Sequence, residues 1–119
     1  MLKRISKIAV CLAFLVTARI PTYAYDKTRV DRYISEAEYY TKQAEIYDRD
    51  AAYYMRQAQK HMKDAEYYSR RGNDTKTKTY IRWAKDTSDK ATLRTRKAKD
   101  AREKSRLRMK WAEDEMKRK

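Results

Sequence analysis

Glycine, proline, cysteine, histidine and phenylalanine occur once each in 119 residues. A sheet needs turns, so a chain this poor in turn residues excludes a strand-rich fold. The lone cysteine, Cys11, stands inside an N-terminal apolar run, so everything after it has neither disulfide nor thiol chemistry. With one histidine and no glycine-rich loop, no Ser-His-Asp set, histidine metal motif or phosphate cradle can be assembled. Carboxylates are abundant but evenly spread over what read as solvated helix faces. No enzyme activity, cofactor or small-molecule substrate is therefore expected. The nearest approach to a metal site is Met55, His61 and Met62, soft ligands that suit Cu(I). Their heptad positions differ, and packing is the expected role of all three.

What the chain has is charge. Charged residues make up 40% of it, with 31 basic against 17 acidic side chains and a net charge of +14. Such an excess suits either a well-solvated helical protein or one with anionic partners. The first 24 residues read as an address. Lys3, Arg4 and Lys7 precede an apolar run of nine, Ile8 to Val16, and Thr22-Tyr23-Ala24 offers small residues where a signal peptidase reads. The run is too short to span a bilayer, so a secretory signal peptide is expected. Cleavage after Ala24 is favoured, after Ala18 is second, and retention as an anchor is third. The protein is then exported, to a periplasmic or extracellular location. Removing Lys3, Arg4, Lys7 and Arg19 leaves a mature charge of about +10.

From residue 25 onward the pattern is helical. Ala37, Ala44, Ala51, Ala58 and Ala65 recur every seven residues, and Tyr40, Tyr47, Tyr54, His61 and Tyr68 follow three residues after each. This three-four alternation marks a helix that packs on another helix along a narrow seam. Asp26, Thr28 and Asp31 are candidate N-caps. Gly72-Asn73-Asp74 is the one stop signal, with Gly72 suited to a left-handed C-cap and Asp74 or Thr75 to capping the next helix. The alanine register resumes at Ala84, Ala91, Ala98, Ser105 and Ala112. The expected fold is all-α: an antiparallel, alanine-rich coiled-coil hairpin over 25–119, with helices at about 28–71 and 75–116 and a turn at 72–74. In a hairpin the numbers of facing residues have a constant sum. Pairing Ala65 with Ala84 and Ala51 with Ala98 puts that sum at 149, which predicts Tyr47 opposite Arg102 as a cation–π pair and His61 opposite Ser88.

Two surfaces are left over. Tyr39, Tyr53 and Tyr67 on the first helix, and Tyr80, Trp83 and Trp111 on the second, are expected on one flank. That flank is a contact surface for a homo-oligomer or a protein partner, unless the rings lie flat beside lysine stems. The positive excess sits on the second half: 25–71 holds 10 basic and 9 acidic residues, 72–119 holds 17 and 8. Arg82, Lys90, Arg96, Lys97, Lys104 and Lys110 form one stripe, and Arg94 joins its densest stretch. Such a stripe binds an anionic polymer by charge neutralisation, or rests on an anionic membrane surface. Insertion is not expected, because the hairpin seam would use up the apolar residues. The first expected function is a structural or protein-interaction module that self-associates, and the second is envelope or extracellular polyanion binding.

Overall fold

The computed structural model describes residues 25–118, so the expected leader lies outside the described residues. Helix α1 (Lys27–Arg70) and helix α2 (Asp74–Met116) pack against each other as an antiparallel hairpin, and no strand occurs among the described residues. Neither helix is long and apolar enough to cross a membrane.

Three of the four helix ends have a local chemical cause. Helix α1 starts at Asp26, whose Oδ1 accepts the Arg29 N–H at 3.1 Å while its carbonyl accepts the Val30 N–H at 3.0 Å. It stops at Gly72, which has φ of +72°. The Asn73 N–H donates to the Tyr68 carbonyl and the Gly72 N–H to the Ser69 carbonyl, both at 3.0 Å. This pair of bonds satisfies carbonyls that the helix end would otherwise orphan. The cap of α2 differs from expectation. Asn73, not Asp74 or Thr75, supplies it, its Oδ1 accepting the Lys76 N–H at 3.1 Å. The left-handed Gly72 turns the chain so quickly that Asn73 already stands one residue before the helix. Asp74 then lies in the first turn, where its carboxylate favours the helix dipole.

The chain divides into a terminal unit, containing 25–42 and 101–118, and a turn unit, Gln43–Asp100. In the turn unit the buried residues are all alanines: Ala44, Ala51, Ala58 and Ala65 of α1, and Ala84, Ala91 and Ala98 of α2. Methyl-sized side chains let two backbones approach toward the short end of the usual helix spacing. In the terminal unit Val30, Ala112 and Met116 form the apolar core, with Tyr25, Tyr33, Ile34 and Met109 packed on it. Ala37, Ala101, Ser105 and Glu115 are buried there too. Ser105 Oγ lies 2.9 Å from the Ala37 carbonyl oxygen and 2.8 Å from Thr41 Oγ1, which itself lies 3.0 Å from that carbonyl. Each hydroxyl has one proton, so one of them donates to the carbonyl and the other to its fellow hydroxyl.

The cross-helix register departs from the predicted sum of 149. Arg29 with Glu115, Tyr33 with Trp111, Arg94 with Asp50 and His61 with Trp83 each sum to 144. Those pairs flank the seam; in the seam itself Ser105 meets the Ala37 carbonyl, a sum of 142, where a sum of 149 puts Ala112 opposite Ala37. Three residues, 71–73, separate the two helices. Lys97 lies over the Tyr47 ring, and His61 meets Trp83 and Tyr80. Arg102, expected opposite Tyr47, is exposed, whereas Ser88, expected opposite His61, is half-buried, as are Tyr80, Thr87 and Arg94.

Candidate functional site

In the turn unit, the half-buried rings of α1 meet a row of α2 residues that repeats every seven positions: Lys76, Trp83, Lys90 and Lys97. Lys76 Nζ lies 4.8 Å from the centre of the Tyr68 ring, Lys90 Nζ 5.8 Å from Tyr54 and Lys97 Nζ 5.8 Å from Tyr47. The Arg94 guanidinium joins Lys90 over Tyr54 at 5.9 Å, and its Nε lies 4.0 Å from Asp50. That separation is an ion pair but too long for a hydrogen bond, and the Arg94 Nε has no hydrogen-bond partner. A cation over a tyrosine face is drawn to the negative side of the ring quadrupole, worth roughly 0.5–1 kcal/mol where water has access. The row therefore sets its cations at helical spacing, each seated on a ring of the facing helix.

Near the turn the row becomes aromatic. Tyr80 stacks on Tyr68, with centroids 5.4 Å apart and planes 8° from parallel. Trp83 meets Tyr80 edge to face at 5.1 Å and His61 at 5.8 Å. In the terminal unit the same pairing recurs. Lys104 lies 5.6 Å over Tyr40, and Trp111 meets Tyr33 edge to face at 5.7 Å. Arg108 reaches both, its guanidinium 5.5 Å over Tyr40 and 4.3 Å over Trp111, and its Nε donates to Glu36. Glu115 is buried and paired with Arg29 at 3.6 Å and Arg118 at 3.5 Å.

The residues assigned to the two expected surfaces overlap in their heptad position. Trp83 and Trp111 had been assigned to the aromatic flank, and Lys90, Lys97 and Lys104 to the basic stripe. All five occupy the same heptad position of α2. Tyr39, Tyr53 and Tyr67 are 57%, 51% and 49% exposed, and each meets its inner neighbour, Tyr40, Tyr54 or Tyr68, edge to face. Tyr80 is half-buried, a brace rather than an outer ring. Arg82, Arg96 and Lys110 are exposed, one heptad position away from the row. Glu103 hydrogen-bonds Arg106 and holds its guanidinium above the usual range, so part of the positive excess is locally answered.

Arg108, Glu36 and Glu115 were not among the sequence candidates. Nothing in their spacing distinguishes them from other surface charges, and only the facing helix gives them a role. Lys76 was findable, since it extends the row of Trp83, Lys90 and Lys97 by one heptad.

The opposite side of the turn unit carries a groove of about 550 Å³, lined by Met55, Ala58, Gln59, Met62, Ile81 and Ala84 among others. Met55, Met62 and Ile81 stay 44–47% exposed there. The seam therefore does not use up the apolar side chains, contrary to expectation, because its alanines close it first. His61 is not part of this lining, so the Cu(I) set of Met55, His61 and Met62 is split between two sides of the unit. Among the described residues, no group of three or more His, Cys, Asp or Glu side chains is arranged to hold a metal. Compared with known proteins, the chain matches no family model, no curated relative and no solved structure.

Proposed function

We propose that this chain is a small exported, non-catalytic interaction module whose coiled-coil hairpin self-associates through its outer side chains. One observation carries the reading. Among the described residues Val30 is the one large side chain that is fully buried, while ten large hydrophobic residues are 40–57% exposed. A two-helix seam closed on methyl groups has no room for them. Exposed aromatics and methionines in this number mark an association surface, and Trp and Tyr are the side chains that anchor such surfaces. Sedimentation of the purified mature protein at tens of micromolar tests the reading. A concentration-dependent dimer or larger species, weakened by Trp83→Ala with Trp111→Ala, is expected. A monomer throughout that range removes it.

The cations seated on tyrosine rings favour a second reading, binding of an anionic envelope or extracellular polymer. Lipopolysaccharide, teichoic acid and extracellular DNA all present the phosphate groups such a row would neutralise. Exchanging Arg94, Arg96 and Lys97 for Gln should then lower the salt needed to elute the protein from heparin, while leaving its sedimentation unchanged.

A further inference from the structure

We infer that the ring-and-cation row of the turn unit is a surface for single-stranded nucleic acid, with Tyr53 and Trp83 as stacking platforms and Lys90 and Lys97 as phosphate contacts. The inference rests on the polyanion reading and names which polyanion fits. Proteins that bind single strands without sequence preference combine a cationic track with aromatic side chains on which bases stack. Both parts are present here on one short stretch.

The cations are pre-positioned. A free lysine side chain loses rotamer entropy when it grips an anion. Lys90 and Lys97 are already docked against Tyr54 and Tyr47, both at 5.8 Å, and both remain exposed to solvent. The platforms are anchored from inside and open outside. Tyr53 is 51% exposed and braced by Tyr54 at 5.5 Å, while Trp83 is 46% exposed and braced by Tyr80 and His61. Trp83, Lys90 and Lys97 are seven residues apart, so the row runs about 21 Å along the helix. That length suits the several-nucleotide footprint of ring-and-cation surfaces. The surrounding charge has the right sign, with ten basic and four acidic residues over 71–100. A duplex keeps its base faces inside, and a sulfated sugar polymer has none, so neither uses Tyr53 or Trp83.

The test is fluorescence anisotropy with the mature protein and three labelled probes: a 15-residue oligothymidylate, a duplex of equal length and low-molecular-weight heparin. Tighter binding of the single strand than of the duplex, with quenching of Trp83 emission in a Trp111→Phe background, is expected. Trp83→Leu should weaken the single strand fivefold or more, the low end of one stacked base, and leave heparin unchanged. Tyr54→Leu changes no charge, yet should weaken the single strand through loss of the Lys90 and Arg94 seat. Far-UV circular dichroism checks that both variants stay helical, and the quenching measurement requires neither of them. Equal binding of all three probes, or an unaffected Trp83→Leu variant, overturns the stacking assignment and leaves charge alone. Failure to bind any probe overturns the polyanion reading with it.

Discussion

Ser105 shows how much a single side chain decides here. It occupies an alanine position in the heptad, yet its hydroxyl bonds the Ala37 carbonyl and Thr41 across the seam. Replacing it with Ala removes that bond but orphans nothing, since Thr41 still reaches the Ala37 carbonyl. Urea denaturation should show a loss of about 1 kcal/mol. Ser105→Leu adds bulk to a buried site with no space for it and should cost more, roughly 1–3 kcal/mol. Gly72 is the second such residue. Its φ of +72° is a region that L side chains avoid, although a Cβ there would meet nothing within 4 Å. Gly72→Ala should therefore lower stability by about 1 kcal/mol through backbone strain alone. If that variant unfolds at the same urea concentration as the parent, the left-handed turn is not needed.

At the scale of elements, the caps govern where the helices begin. Asn73 closes α1 through its N–H and opens α2 through its side chain, so one residue serves two helix ends. Asn73→Ala keeps the first role and loses the second. A loss of about 1 kcal/mol is expected, with Asn73→Asp retaining most of the stability, both read from thermal melts. The reading of helices and of the turn was legible because it needs only local signals: a heptad, an Asx cap, a single glycine. The predicted cap at Asp74 or Thr75 missed by one or two residues. Cap choice depends on the dihedral angle of the residue before it, which Gly72 sets.

For the whole molecule, charge is the dominant property. Residues 25–119 carry 27 basic and 17 acidic side chains, a net +10. Some ion pairs are exposed at both partners, such as Arg70 with Glu66 at 3.9 Å and Arg106 with Glu103. Pairs of that kind contribute little, whereas uniform self-repulsion acts on the compact state as a whole. Raising the salt from about 0.05 to 0.5 M shortens the Debye length to a few ångströms. The melting temperature should consequently rise or hold steady, measured by circular dichroism at 222 nm. A fall of several degrees would mean that paired charges, Glu115 with Arg29 and Arg118 foremost, matter more than repulsion.

Residue spacing alone determined that this chain is helical and folds back once, because heptads and a lone glycine act within a few residues of themselves. It also placed alanines in the seam, since only the small face of a helix can lie close to another. Tertiary structure decided the rest. Which row of α2 meets the tyrosines depends on the offset between two helices, and an offset is invisible to the periodicity of either one. Lys97 over Tyr47 and Trp83 against His61 are contacts of that offset, and neither can be read from the spacing of one helix alone.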